Sequence, residues 1–215
     1  MKKNKTKKAI VLLALFIGPL LFYIFLSLGI YHHANLPILT KKVEDIKGTE
    51  TFQDHFSVVS FLGKDASNSK SGLFNLNEVI YKRYRKSLYF QSVLISPKGS
   101  EKEVEELQNK LKTYTDISNW KFVFMTDEEI KTLFNSFDSP YEIEANLSSD
   151  YVFIVDRELR LRGRKDDEDT ENGRLYGYNM TSVNDLKNKM KKDIEIIYYQ
   201  LKKSMEKEKR FKRKI

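Results

Sequence analysis

The sequence predicts an α/β fold with a central mixed sheet, preceded by one long apolar helix. Short β-branched and aromatic segments alternate with segments of helical periodicity, and the stretch 9–30 contains no charged side chain. The 215 residues, 40% of them hydrophobic, are enough for one domain with a real core. A second domain of ordinary size hardly fits in this length.

The apolar stretch 9–30 predicts a transmembrane signal anchor. As a helix it measures roughly 33 Å, enough for a bilayer core of about 30 Å. Residues 1–8 carry five lysines and no acid, so the positive-inside rule places them in the cytoplasm. A cleaved signal peptide is the alternative, but its apolar region is usually only about 7–15 residues long. We expect a single-pass protein of a bacterial inner membrane, with its C-terminal domain in the periplasm and the lipid bilayer as its first partner.

The net charge of +8 lies at the two ends of the chain. Residues 1–8 contribute +5, and residues 202–215 carry eight Lys and Arg against two Glu. The remainder, 9–201, has 38 − 5 − 8 = 25 basic and 30 − 2 = 28 acidic residues. Because the body is mildly acidic, the charge gives no reason to expect a nucleic-acid partner.

A folded domain is expected over residues 51–201, between a juxtamembrane linker at 31–50 and a basic tail at 202–215. Predicted strands are rich in β-branched and aromatic residues, and they occupy 56–62, 90–95, 120–125, 151–155 and 159–162. Predicted helices have apolar residues at helical spacing, and they occupy 74–86, 100–111, 126–137 and 182–201. Their capping residues are expected at Asn75 or Asn77, at Ser100 with Glu103, at Thr126 with Glu129, and at Ser182 with Asp185.

The predicted element order is therefore βαβαβαββα. Alternating strands and helices indicate a mostly parallel sheet with right-handed crossovers. The closing pair of strands, joined by a tight turn and followed by a helix, favours an antiparallel finish to the sheet. This combination is typical of thioredoxin-like folds.

Two short patches and the order of elements resemble the SCO/SenC family. The run 61–66 (FLGKDA) closes the first strand, and 73–80 opens the first helix. The strand 151–156 followed by 159–162 is similar to the family's Tyr-Leu-Ile-Asp hairpin. The resemblance covers about residues 36–201. It implies a membrane-anchored thioredoxin-like protein, from a family that handles copper and thiols during cytochrome c oxidase assembly.

The ligands of the family's copper site are absent from this sequence. The resemblance places Ala66 at the first metal-binding cysteine, Ser69 or Ser71 at the second, and Ser148 at the histidine. The chain contains no cysteine at all. Alanine and serine supply no thiolate or imidazole, which a soft copper site requires. The resemblance therefore implies a degenerate site with no bound metal or cofactor and no redox chemistry.

A second candidate site lies on the last hairpin of the domain. Arg162 and Arg164 precede an acidic loop at 165–174, and Tyr176 and Tyr178 follow it. Arginines and tyrosines next to glycines are typical of docking and anion-binding surfaces. The alternative is a polar edge-strand face that resists aggregation.

The remaining metal-ligand residue types have plainer interpretations. The acidic loop at 165–174 lacks the spacing of a calcium-binding EF-hand, so we expect a flexible, solvated loop. His32 and His33 are too few for a metal site and are expected to be solvated juxtamembrane residues. His55 has no visible nucleophile beside it, so an ordinary surface histidine is expected.

These observations predict a membrane-anchored, non-catalytic binding or assembly factor for a membrane complex, with a respiratory complex as the expected client. Two alternatives stay open at this point. One is an enzyme or binding domain that uses Arg162, Arg164 and Tyr176 on an anionic ligand. The other is a structural domain, anchored in the cell envelope, that binds partners through its basic tail.

Overall fold

The computed structural model describes the backbone of residues 2–33, 35–46 and 48–212. Side chains are described for 7–8, 11–26, 35–46 and 48–205. Leu36–Glu195 forms one compact unit, and Met1–Asn35 with Ile196–Ile215 forms a second.

The helices and strands of the described residues follow the predicted alternation. The helices are α1 Lys2–His33, α2 Lys70–Leu76, α3 Lys82–Tyr84, α4 Glu101–Lys112, α5 Asp127–Ser136, α6 Val183–Asp185 and α7 Lys191–Lys212. The strands are β1 Ile38–Thr40, β2 Phe56–Phe61, β3 Phe90–Pro97, β4 Trp120–Met125, β5 Tyr151–Val155, β6 Leu161–Arg162 and β7 Tyr178–Asn179. Single π-helical turns join α2 to α3 (Asn77–Tyr81) and α6 to α7 (Leu186–Met190).

The strands form one mixed sheet in the order β1-β6-β5-β2-β3-β4, with β7 paired to β5. Strands β2, β3 and β4 are parallel, while β5 runs antiparallel to both β2 and β6. The crossovers between the parallel strands contain helices, as parallel pairing requires. The order β6-β5-β2-β3, with β5 reversed, is thioredoxin-like. The prediction of a mixed α/β sheet is therefore confirmed.

Burial explains why the central strands read as continuous apolar runs. All residues of β2 and β3 are buried, because helices cover both faces of the sheet. On one face Phe61 and Phe153 pack against Phe134 of α5, with ring centroids 5.1 and 5.7 Å from that ring. The capping box of α5 is formed as predicted, with Thr126 and Glu129 bonding to each other's backbone N–H groups.

The first helix of the domain, α2, begins earlier than the sequence predicted. It starts at Lys70, so Asn75 and Asn77 lie inside the helical segment and do not cap it. Residues 64–72 are polar, so the sequence shows no helical pattern before Leu73. The Ser100 box is also wrong, since among the described residues its Oγ donates to the carbonyl oxygen of Pro97 instead of capping α4.

Part of the predicted linker belongs to the domain. Leu36, Val43 and Ile46 are buried, and β1 adds to the edge of the sheet, where Ile38 pairs with Arg162. A strand of three residues has too little sequence pattern to be recognised.

The N-terminal helix α1 exposes its apolar side chains on every side. Large apolar residues between Val11 and Leu26 are 40–72% exposed. Among the residues described, none of the helices has both the length and the apolarity needed to cross a membrane. The predicted anchor 9–30 lies partly outside the described side chains, which begin at 11 and end at 26 in this stretch. The anchor and its topology stay predictions.

Candidate functional site

The loop after β2 is the place where the resemblance puts the copper ligands. Gly63 leaves the strand with a φ of +71°, a conformation that residues with a Cβ rarely adopt. Asp65 then accepts hydrogen bonds from the backbone N–H and the hydroxyl of Ser67, at 3.1 and 2.6 Å. This Asx turn leads the chain directly into α2.

The segment before β5 packs against this loop. Ser148 forms an isolated antiparallel bridge with Leu62, and the backbone N–H of Lys64 donates to the carbonyl oxygen of Asn146 at 2.9 Å. A Cβ placed on Gly63 would lie 2.7 Å from that oxygen and 2.8 Å from the Ser148 Cβ. The structure therefore brings Ser148 beside the loop that carries Ala66, although they are far apart in sequence.

The residues at this place do not fit a copper ion. Ala66 is fully buried, Ser69 is 5% exposed and Ser71 is exposed. The hydroxyl of Ser148 donates to the side-chain oxygen of Asn146 at 2.7 Å. A methyl group and three hydroxyls offer no soft ligand for Cu(I) and no thiol for exchange. We name this set, together with loops 62–69 and 144–149, the degenerate site.

A shallow groove of about 220 Å³ borders the degenerate site. Asp65, Ser67 and Lys70 line it on the loop side. Glu103, Glu106, Leu107 and Lys110 line it on the side of α4. Mixed charges over one leucine are suited to contacts with a polar protein surface rather than to enclosing a small ligand.

A charged cluster forms on the last hairpin and the start of α7. Asp193 accepts hydrogen bonds from the Arg164 Nε at 2.7 Å, from the Arg164 Nη2 at 3.1 Å and from the Tyr178 hydroxyl at 2.7 Å. Lys189 donates to Asp167 at 2.8 Å, and Arg164 lies 3.5 Å from the same carboxylate. We call these five residues the Asp193 cluster. It ties the hairpin to the helix.

Burial shifts the pKa values within the Asp193 cluster. It raises the pKa of Asp193 in spite of the hydrogen bonds from Arg164 and Tyr178, which favour the ionised form. It also raises the pKa of the fully buried Tyr178 hydroxyl well above its ordinary value, and the neighbouring Asp193 adds to the effect. For Arg164, burial alone would lower the pKa, but the bonds and charge of Asp193 outweigh it and the pKa is raised.

The structure buries Arg162, which the sequence placed in the candidate docking surface. This side chain is 6% exposed, and its guanidinium donates to Asp156 at 2.9 Å and to the carbonyl oxygen of Leu36. Edge strand β1 pairs with β6, so both residues of β6 are buried. Arg162 fastens the start of the domain to the sheet.

The other residues of the predicted docking surface are also turned inward. Tyr176 is 8% exposed and Tyr178 is fully buried, while Arg164 is committed to Asp193. The arginines and tyrosines therefore act mainly within the domain, and an exposed docking surface built from these side chains is not found among the described residues. The apolar residues on both sides of Gly177 in the sequence could have indicated this burial.

The acidic loop is partly ordered rather than free in solvent. Asp167 is 4% exposed, and Lys189 lies 2.6 Å from Asp169 as well. Among the described residues, no three His, Asp or Glu side chains are grouped so as to hold a metal ion.

His55 approaches the carbonyl oxygen of Gln53 through its Nδ1. The side chains of the two juxtamembrane histidines lie outside the described residues.

Sequence reasoning missed Asp193 as a member of a buried cluster. The signal was present, because Asp193 stands between Met190 and Ile197 on the apolar face of the last helix. A carboxylate on such a face requires partners at once. The fold supplies Arg164, which lies 29 residues earlier in the chain.

Comparison with solved structures finds thioredoxin-like and Sco proteins. BsSco, of the Sco family of cytochrome c oxidase assembly proteins, matches at a TM-score of 0.48 and 12% identity over 77% of this chain and 95% of that one. The thioredoxin domain of a thiol-disulfide oxidoreductase from Bacteroides vulgatus gives 0.41 and 18%, over 72% and 91%. Yeast Sco1 gives 0.35 and 15%, over 55% and 80%.

No protein-family model and no curated protein matches the sequence. The TM-scores above are all below 0.5, so the assignment of the fold rests on the order and direction of the strands. On that basis the chain is a mixed α/β protein with a thioredoxin-like sheet and without cysteine.

Proposed function

We propose that this chain is a membrane-anchored, redox-inactive thioredoxin-like protein that acts as a non-catalytic binding or assembly factor for a membrane complex. The degenerate site is the observation that carries the proposal. Its backbone is well packed, with Gly63 fitted against Asn146 and Ser148. Its side chains, however, can neither exchange disulfides nor hold Cu(I). A well-packed surface that lacks reactive groups is suited to binding.

Anchoring through residues 9–30 is part of the proposal. The absence of charge in this stretch and the exposed apolar surface of α1 both support it. Such a helix is unfavourable in water, because it is apolar all round and so must be covered by lipid or by other protein. The lysines of residues 1–8 would then keep the N-terminus in the cytoplasm and the domain on the outer side of a bacterial inner membrane.

The groove beside the degenerate site is the proposed contact with the client, a membrane complex of the respiratory type. Ser67 and Lys110 lie on its two walls. Leu88 is 88% exposed and precedes β3. Because β2 and β3 are parallel, Leu88 lies at the opposite end of these strands from the loop that follows β2. It offers a matched control position.

A photo-crosslinking residue placed at each of these three positions in the full chain tests the proposal in native membranes. We expect Ser67 and Lys110 positions to capture subunits of one membrane complex, identified by mass spectrometry, and the Leu88 position to capture none of them. Equal capture from Leu88, or no subunit from either groove position, would contradict the assembly role. Recovery of the chain in the soluble fraction after alkaline washing would contradict the anchor.

A further inference from the structure

The C-terminal helix places a basic segment close to the predicted anchor. Helix α7 continues without interruption to Lys212, well beyond the predicted end of the domain at residue 201. Its part from 202 to 212 contains six Lys and Arg and two Glu, a net charge of +4. The side chains of Lys202 and Lys203 are exposed.

One hydrogen bond fixes where this basic segment starts. The Gln200 Nε2 donates to the Asn35 Oδ1 at 2.8 Å. Residues 31–33 are helical, which adds about 4.5 Å beyond residue 30, and two further residues add at most roughly 7 Å. If residues 9–30 span the bilayer core, Asn35 therefore lies within about 12 Å of the edge of that core, and the Gln200 amide is one hydrogen bond away from the Asn35 side chain.

We propose that residues 202–212 bind the anionic headgroups of the same bilayer that holds the anchor. This inference rests on the proposed membrane anchoring. Electrostatic attraction to an anionic surface extends about one Debye length, roughly 8–10 Å, and the first two lysines follow Gln200 within one helical turn. Each cation held near such a surface raises association about fivefold. The helix thus provides a second membrane contact, which would restrict the orientation of the domain.

The charge pattern favours lipid over an acidic protein as the occupant. Lysine accounts for five of the six cations, and a lysine ammonium acts as a point charge that needs no fixed geometry. A diffuse anionic surface matches this chemistry. A folded acidic partner is the other outcome of the test.

The absence of cysteine allows a single probe to be placed on this helix. Ser204 is exposed, and its hydroxyl donates to the carbonyl oxygen of Leu201 within α7. The full-length Ser204→Cys variant, labelled with a fluorophore, is inserted into nanodiscs that contain a lipid-borne quencher. One set is pure phosphatidylcholine, and the other contains about 30% phosphatidylglycerol.

We expect quenching to be at least about threefold stronger in the anionic nanodiscs, and to fall to the zwitterionic level at about 0.5 M salt. The added changes K202Q, K203Q, K207Q and K209Q should abolish the difference. The matched control K86Q, K102Q, K112Q and K131Q alters exposed lysines of the domain that lie outside the groove lining and should preserve it. Equal quenching in the two lipids, with the chain retained in the nanodisc, would overturn this inference alone. Crosslinks from position 204 to an acidic protein in native membranes, together with equal quenching, would support the other occupant. A chain that does not enter nanodiscs would overturn the anchor and this inference together.

Discussion

The degenerate site and the Asp193 cluster use polar residues in opposite ways. At the degenerate site the side chains are short, and the hydroxyls of Ser67 and Ser148 donate to side chains two positions away. In the Asp193 cluster, charged groups of residues 164–167 and 189–193 and the Tyr178 hydroxyl meet and bury one another. The part of the fold where chemistry was expected therefore holds inert groups, while the reactive residue types serve to hold the hairpin on α7.

The largest effect is expected from the Asp193→Ala change. It leaves the Arg164 guanidinium and the buried Tyr178 hydroxyl without their shared acceptor. Loss of one member of a buried charge pair costs about 3–5 kcal/mol, so the free energy of unfolding should fall by about 4 kcal/mol. Urea denaturation of the full chain in detergent measures it. Asp166→Ala, at an exposed position in the acidic loop, should change the free energy of unfolding by less than about 0.5 kcal/mol. A similar small effect for both variants would show that the cluster is not structural.

A glycine substitution tests the packing of the degenerate site. Gly63→Ala should lower the free energy of unfolding by about 3 kcal/mol, because a positive φ and a Cβ clash with Asn146 and Ser148 act together. Gly99 also has a positive φ, +96°, but open space around its Cβ position. Gly99→Ala should therefore cost only about 1 kcal/mol. Equal losses would mean that the two loops are not in contact.

Alkaline pH should weaken the region around the Asp193 cluster. Burial raises the pKa of Tyr141 to about 12, and its hydroxyl donates to the carbonyl oxygen of Gly177, beside Tyr178. The folded chain then retains a proton that the unfolded chain loses near pH 10. Stability from this group is complete below pH 10 and is lost as the pH rises to about 12, a change of roughly 2 kcal/mol once solvent screening of the part-exposed ring is included.

The free energy of unfolding measured from pH 8 to pH 12 tests this dependence. Tyr141→Phe should remove part of the alkaline decline, and Tyr178→Phe should remove a further part. Tyr114→Phe, at a residue that is 61% exposed, is the control and should leave the pH profile unchanged. Profiles that are identical in all three variants would contradict the burial of Tyr141 and Tyr178.

The smallest effect is expected from Ser148→Ala. Its hydroxyl bond to Asn146 is local and half-exposed, so its loss should cost about 0.5 kcal/mol or less. The same measurement of unfolding serves here. A loss above about 2 kcal/mol would show that Ser148 has a structural role beyond this bond.

The sequence was sufficient for the elements with strong patterns. The sheet strands, the Thr126 cap and the face of the last helix follow from local periodicity. The position of β1, the burial of Arg162 and the partners of Asp193 could not be predicted, because each depends on residues far away in the chain. Arg162 and Leu36 are 126 residues apart. Side chains that look like a binding surface in sequence can find such distant partners in the fold.

Anaerobic titration of the full-length chain with Cu(I), against a chromogenic chelator, tests the central claim most directly. The variant H32A/H33A removes the two adjacent histidines, which are the available imidazoles near the membrane. We predict that this variant retains no copper in competition with the chelator, because the degenerate site offers only a methyl group and hydroxyls. Retention of one equivalent of Cu(I) per chain would contradict the account.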